Sequence, residues 1–190
     1  MHSTMSVAQR MTVEEFFELP DERWATLVDG EVVVNAPRPR HQRVAFDLMF
    51  ALELWCREGS GRGETTMPLG VVLDEHNYYE PDILWFGEGR GPGRSDTPLQ
   101  PLPDIAVEVR SPSTWRYDSG VKKARYEQHG LPELWLVDAA ADEVIVFRRS
   151  SAKAPLFDVS LELARGDLLT SPQLPGFELA LDELYGPPDS

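Results

Sequence analysis

The sequence predicts a mixed α/β fold, in which a sheet of parallel and antiparallel strands packs against a long helix. Three segments support this prediction. Asp29-Gly30 lies between two apolar runs, which is the strongest short signal for a β-hairpin. Apolar residues recur at helical spacing over 41–57, which predicts the longest helix of the protein. The pattern of 104–138 indicates a strand, a helix and a strand, as in a parallel crossover.

Local patterns predict the remaining elements. Thr12 precedes Glu15 by three residues, a capping-box spacing that indicates a short helix. In the crossover helix, Asp118 or Ser119 is the candidate cap, and Gly130 is expected to end the helix. Further strands are predicted at 70–74, 82–86, 133–138, 143–149 and 156–163, with an exposed loop at 87–103, a turn at 165–167 and a closing helix at 180–186.

The composition indicates a globular protein of ordinary size. Of its 190 residues, 42% are hydrophobic and 26% are charged, which is enough apolar material for a substantial core. We expect a disordered N-terminal segment at 1–10 and a single domain at 11–190. The lone Cys56 excludes an internal disulfide framework and a cysteine-based zinc cage. Neither a secretion signal nor an apolar run of roughly 18 residues is present, so a cytoplasmic location without membrane contact is expected.

The distribution of charge is uneven. The net charge of −14 argues against broad, nonspecific affinity for nucleic acid. Basic side chains nevertheless concentrate in two segments, the first with Arg38, Arg40, His41 and Arg43, and the second with Arg110, Arg116, Lys122, Lys123 and Arg125 beside the single acid Asp118. The spacing of these basic residues alone favours the interpretation that both segments are ordinary solvent-exposed surfaces. A rim that binds a polyanion is the alternative, and it needs support from the chemistry between the segments.

Glu108 interrupts the apolar strand predicted at 104–110. Alternation along a strand places Ile105, Val107 and Val109 on one face and Glu108 on the other. A carboxylate within a sheet is desolvated unless a cation or hydrogen bonds compensate for the lost water. An ion pair with an arginine is the more common arrangement, and a bound metal ion is the alternative.

Asp82 lies at the start of another central strand. A second carboxylate near Glu108 would favour a bound metal ion over an ion pair with arginine. Two carboxylates on adjacent strands suit Mg²⁺, which keeps several waters and leaves room for phosphate oxygens. Such an ion can polarise a phosphodiester and acidify a water molecule, and a lysine would complete the site. Arg110 occupies the usual position of that lysine, but arginine cannot act as a base. Lys122 shares a helix face with Tyr126 and is the alternative, although spacing alone favours a solvated lysine.

Three segments together resemble a known family. They are "LVDGEVVVNAPRPRHQRV", "EPDILWF" and "PDIAVEVRSPSTWRYDSGVKKARYEQHGLPELWLVD". They are similar to the Uma-two-type restriction endonuclease family of the PD-(D/E)XK nuclease superfamily, and the similarity runs from about Met11 to Tyr185. The resemblance implies a restriction-endonuclease-like core that uses a divalent metal, usually Mg²⁺. By position, it implies that Asp82 and Glu108 bind the metal and that Lys122 replaces the lysine usual elsewhere in the superfamily.

The resemblance also suggests supporting roles. Glu80 could assist Asp82 from the same side of an extended chain. His41 matches the histidine that opens the family's long helix, and a metal ligand, a base, a substrate contact and a capping or hydrogen-bonding residue are all open roles. Ser111 and Ser113 could contact phosphate or satisfy the turn around the intervening proline.

The sequence departs from the family pattern ahead of the hairpin. Many relatives carry a "YELIDGE"-like run there, whereas this chain has "ATLVDGE", so that Thr26 replaces an acid. This substitution puts full catalytic competence in doubt, although Glu31 could compensate. Arg110 is also bulkier and more basic than the apolar residue expected at its position.

The leading hypothesis is an endonuclease that depends on Mg²⁺ or Mn²⁺ and hydrolyses DNA phosphodiester bonds, with Asp82, Glu108 and Lys122 as catalytic residues. The predicted substrate-binding residues are Arg38, Arg40, His41, Arg110, Ser111, Ser113, Arg116 and Lys123. The rival hypothesis is a catalytically impaired module that binds nucleic acid or a protein partner, and a third is an interaction protein indifferent to metal and nucleic acid. A homodimer is plausible because two symmetric sites most easily cut both strands of a duplex.

Overall fold

The computed structural model describes residues 10–20, 25–34, 36–93, 99–111 and 117–187. Its helices are α1 (Val13–Phe17), α2 (Pro39–Arg57), α3 (Lys123–Gln128), which follows a π-helical turn at Asp118–Lys122, and α4 (Leu181–Tyr185). Its strands are β1 (Ala25–Val28), β2 (Glu31–Val34), β3 (Glu64–Thr66), β4 (Gly70–Asp74), β5 (Asn77–Tyr79), β6 (Ile83–Phe86), β7 (Leu99–Gln100), β8 (Ile105–Val109), β9 (Glu133–Asp138), β10 (Glu143–Arg148), β11 (Val159–Leu163), β12 (Leu168–Leu169) and β13 (Leu179–Ala180). The predicted mixed α/β class is confirmed.

A six-stranded sheet forms the centre of the fold, with the strand order β11-β10-β9-β8-β6-β3. Strands β8 and β9 are parallel, as the crossover pattern predicts, and the other pairs in this sheet are antiparallel. A second sheet has the order β2-β1-β5-β4-β7, and β12 pairs with β13. The central sheet therefore combines one parallel crossover with antiparallel neighbours.

The two faces of β8 meet different layers of the protein. One face packs against α2, where Leu48 and Leu52 join Val107 in the largest apolar cluster. On the other face, Ala106 packs in a second cluster with Tyr126 of α3. Because side chains alternate along a strand, Glu108 lies on the α3 face.

Two local predictions are confirmed in detail. The Thr12 hydroxyl accepts the Glu15 N–H at 3.2 Å, and the Glu15 carboxylate accepts the Thr12 N–H at 2.8 Å, which completes the capping box. Asp29 and Gly30 form the tight turn of the β1–β2 hairpin with φ angles of 50° and 77°. Glycine adopts this left-handed backbone without steric cost, which explains its place in the turn.

Other local predictions need correction. Helix α2 begins at Pro39, two residues before the predicted start, because proline at a first helical position has no N–H to leave unsatisfied. Neither Asp118 nor Ser119 caps the crossover helix, because Tyr117 before them is already helical and both residues lie within the π-helical turn. Part of the predicted loop at 87–103 forms β7, which pairs in parallel with β4.

Arg10 is the only described residue of the predicted N-terminal segment 1–10, and the single domain at 11–190 stays a prediction. Within the described ranges, no helix combines the length and the apolar character that a transmembrane segment requires.

Candidate active site

The register of the central sheet brings Asp82 and Glu108 together. Ile83 of β6 lies opposite Val107 of β8, so extending this antiparallel pairing by one residue sets Asp82 opposite Glu108. Residues directly opposite each other share one face of a sheet, with Cβ atoms about 5 Å apart. The Val109 N–H donates to Asp82 Oδ2 at 2.7 Å, which holds the aspartate against β8. The two predicted acids are therefore cross-strand neighbours.

Glu108 is 3% exposed and has a partner on each carboxylate oxygen. Lys122 Nζ donates to Oε2 at 3.2 Å, and the Tyr126 hydroxyl donates to Oε1 at 2.8 Å. Lys122 and Tyr126 are four residues apart, and the crossover turns their shared face toward β8. Of the two basic residues that sequence spacing left open, Lys122 contacts Glu108, whereas Arg110 pairs with Asp138.

Asp118 belongs to this cluster, although the sequence predicted a helix cap for it. Asp118 is 1% exposed, and its Oδ1 lies 2.9 Å from Lys122 Nζ. The π-helical turn places both residues on the inward side of the helix start, and such turns occur frequently at functional sites. The signal that could have identified Asp118 is its spacing of four residues from Lys122.

The cluster contains more carboxylates than cations. Burial raises the pKa of Glu108, and the charges of Asp118 and Asp82 add to this effect while Lys122 opposes it. Burial alone would lower the pKa of Lys122, but Glu108 and Asp118 outweigh it and hold the pKa above its ordinary value. Lys122 is therefore protonated at neutral pH, and a further cation at this cluster would stabilise the ionised form of Glu108.

His41 reaches the same acids from α2. It is 6% exposed, and its Nε2 lies 3.3 Å from Asp82 Oδ1. Burial lowers the pKa of His41, but contact with Asp82 outweighs burial, so the net shift is upward. Both ring nitrogens of His41 are buried, and Asp82 and the backbone of Val109 are the neighbours that raise the His41 pKa.

The donor set suits one hard divalent cation. Asp82 and Glu108 offer one carboxylate each, and Mg²⁺ commonly takes one or two carboxylates and keeps its other positions for water and phosphate. In the part of the chain that the structure describes, no group of three or more His, Cys, Asp or Glu side chains forms a metal-binding cluster. Asp82 and Glu108 thus suit an ion that keeps most of its positions for water and phosphate.

Three of the eight predicted substrate-binding residues, Arg40, Arg110 and Lys123, have partners away from Glu108. Arg40 lies 2.7 Å from Asp142, and Lys123 Nζ lies 4.5 Å from the ring centroid of Phe147. Arg38 is exposed at the start of α2, and Ser111 is buried directly after β8. Ser113 and Arg116 lie outside the described residues. Among the described basic residues of this set, Arg40, Arg110 and Lys123 thus each have a different partner.

A cavity of about 470 Å³ opens beside Asp82. Thr26, Glu80 and His41 also line it, so the position at which the family resemblance implies an acid adjoins the site. Glu80 accepts a hydrogen bond from the Tyr78 hydroxyl. Glu31 instead accepts from the Tyr117 hydroxyl at 2.8 Å on the protein surface and is not among the cavity-lining residues.

The same arrangement of strands and helices occurs in a solved nuclease structure. The crystal structure of a "putative nuclease belonging to DUF820 from Anabaena variabilis ATCC 29413" matches with a TM-score of 0.76 and 18% sequence identity, over 92% of this chain and 97% of that chain. This similarity identifies the fold as restriction-endonuclease-like.

The family follows from the sequence match. Residues 13–182 match the Uma2 family, which is described as "Putative restriction endonuclease". The chain belongs to this family, which confirms the resemblance found in the sequence motifs. No curated protein matches the chain.

Proposed function

We propose that the protein is an Mg²⁺-dependent endonuclease that hydrolyses DNA phosphodiester bonds, and that Mn²⁺ can replace Mg²⁺. The observation that carries the proposal is the buried contact of Glu108 with Lys122, directly across the sheet from Asp82. Two acids and one protonated lysine at one point of a nuclease fold suit a reaction that builds negative charge on phosphate.

Each member of the cluster has a distinct role in this proposal. Asp82 and Glu108 hold the metal ion, which when bound neutralises phosphate charge and acidifies a nearby water. Tyr126 orients Glu108 through its hydrogen bond to Oε1. Lys122 stabilises the charge that develops on the phosphate, and its raised pKa makes it a poor general base.

We also propose a cytoplasmic protein that acts as a homodimer, with Arg38 and His41 at the DNA groove. A dimer would present two symmetric sites to the two strands of a duplex.

Plasmid cleavage tests the proposed site. Purified protein should nick or linearise DNA with Mg²⁺ or Mn²⁺, and chelation by EDTA should stop the reaction. Asp82→Ala and Glu108→Ala should each abolish cleavage while their thermal unfolding remains cooperative. Unchanged cleavage in both variants would reject this site.

A second candidate function is a catalytically impaired module that binds nucleic acid. Thr26 favours it, because this neutral side chain is 6% exposed and lines the cavity beside Asp82 where relatives carry an acid. Salt-dependent DNA binding without cleavage at any divalent metal would support the module. Thr26→Glu should then create or increase cleavage if the missing acid is the defect.

A further inference from the structure

We propose that the cavity beside Asp82 binds one unstacked nucleobase, so that the substrate is a single-stranded or locally opened nucleic acid. This inference rests on the proposed nuclease function and specifies its substrate. We call this space the base cavity; its walls are largely apolar and include Pro37, Ala45, Phe46, Met49, Met67 and Pro68.

The base cavity reaches the candidate active site at Asp82, whereas Glu108 and Lys122 do not line it. Asp82 and His41 line the cavity, and Asp82 is also the cross-strand neighbour of Glu108. A nucleotide with its phosphate at the two acids would therefore have its base within reach of the cavity. Such a position resembles the pockets that receive bases taken out of the stack by other enzymes.

The size and walls of the base cavity suit a planar aromatic ligand. Its volume of about 470 Å³ lies in the range of small-molecule sites. The Phe46 side chain is 53% exposed and Met67 is 66% exposed, so their apolar surfaces are available to a ligand. Aromatic side chains at such positions bind bases of any sequence by stacking.

The polar groups of the base cavity favour the base over the phosphate. Glu80 is an acid that would repel a phosphate but can accept N–H groups from a base edge. Gln42, which also lines the cavity, can both donate and accept hydrogen bonds. An uncharged ring with donors and acceptors on its edge matches this lining.

The overall charge also favours stacking as a source of affinity. The chain has a net charge of −14, and Arg40 and Arg110 form ion pairs with aspartates. Binding that depends mainly on many phosphate contacts requires an extended positive surface. Stacking of unpaired bases does not require one, so this acidic protein gains more from a strand whose bases are accessible.

Binding measurements on Glu108→Gln separate recognition from cleavage, because Glu108 is not among the residues that line the base cavity. The probe is an oligonucleotide that contains the fluorescent base 2-aminopurine, single-stranded or within a perfect duplex. We expect the single strand to bind more tightly and its 2-aminopurine signal to change on binding. Adding Phe46→Ala should weaken single-strand binding about tenfold, and Phe46→Trp should restore it.

Phe50→Ala is the matched control. Phe50 lies one turn further along α2 and is 57% exposed, with its ring centroid 6.3 Å from that of Phe46, but it does not line the base cavity. This control should change single-strand affinity less than twofold, which is about the size expected for a surface residue without a base contact. Thermal unfolding of all variants verifies that each is folded.

Two outcomes would overturn the inference. Equal affinity for duplex and single strand, with Phe46→Ala and Phe50→Ala behaving alike, would exclude a base subsite. Conversion of a dimer to monomers by Phe46→Ala, with unchanged nucleic-acid affinity, would assign the cavity to contact between two copies of the chain. The plasmid assay is read separately: absence of cleavage rejects the proposed function, whereas a specific Phe46 effect still supports base binding.

Discussion

Glu108 and Glu133 are buried glutamates on neighbouring parallel strands, yet their surroundings differ. Glu133 is 0% exposed and accepts hydrogen bonds from Trp135 Nε1 and Ser171 Oγ, both at 2.7 Å. Its nearest described cation, Arg148, lies 4.0 Å away. Glu108 instead contacts the ammonium group of Lys122 in a cluster with two other acids.

Burial raises the pKa of both glutamates, so burial alone does not mark a functional site. Around Glu133, hydrogen bonds from neutral groups lower the pKa and stabilise the charged carboxylate. Around Glu108, Lys122 and Tyr126 lower the pKa, whereas the nearby acids raise it further. Convergent like charges, rather than a buried acid as such, therefore distinguish the candidate active site.

The largest expected difference concerns catalysis. Glu108→Gln should reduce plasmid cleavage about 1,000-fold, because an amide cannot replace the carboxylate charge at the proposed metal site. Glu133→Gln should leave cleavage within about twofold after correction for folded protein. Initial rates at saturating Mg²⁺ measure both effects. Comparable losses in the two variants would contradict the assignment of Glu108 rather than Glu133 to catalysis.

The next effect concerns the cation in the cluster. Lys122→Met should lower the free energy of unfolding by about 3 kcal/mol, because it leaves Glu108 and Asp118 buried without their ammonium partner. Urea denaturation at neutral pH measures this change. Lys123→Met, at the adjacent and partly exposed position beside Phe147, is the control and should cost less than about 1 kcal/mol. Equal effects would show that the cluster does not depend on the Lys122 charge.

A smaller effect concerns stability, for which the two glutamate variants should rank in the opposite order to their cleavage rates. Glu133→Gln should lower the free energy of unfolding by about 2 kcal/mol, because its amide group cannot accept all the hydrogen bonds that converge on the carboxylate. Glu108→Gln should change stability by less than about 1 kcal/mol, since it removes one of the crowded negative charges. Urea denaturation should therefore rank the variants opposite to the cleavage assay.

The smallest effect is a dependence on pH. In the folded state, burial is the main cause that raises the pKa of Glu133 above its ordinary value of 4.5. Its ionised form is thus disfavoured by folding, and its contribution to stability decreases as pH rises from 4.5 through the folded pKa. The stability of wild type relative to Glu133→Gln should therefore increase as pH is lowered through this window. An unchanged difference would indicate that Glu133 has the same pKa in both states.

Short patterns predicted much of the fold. The capping box at Thr12, the turn at Asp29-Gly30 and the crossover strands all depend on residues close in sequence. The set of Asp82, Glu108 and Lys122 was also predicted, partly from the family resemblance. The structure places these three together, whereas their catalytic and metal-binding roles remain proposals.

Other members of the site required long-range information. Asp118 has the spacing of a helix cap in the sequence, but a π-helical turn directs it inward to Lys122. The contact of His41 with Asp82 depends on how α2 crosses the sheet. Glu133 has no sequence signal that separates it from Glu108, because only the packing of later segments supplies Ser171.

The sequence by itself determined the helices, turns, crossover and principal charged residues, because hydrophobic periodicity and turn chemistry act over a few residues. Tertiary structure alone decided which charges meet and which buried acid receives neutral donors. It also decided that an apolar cavity adjoins Asp82. These properties depend on strand register and helix orientation, which are set by packing between segments distant in the chain.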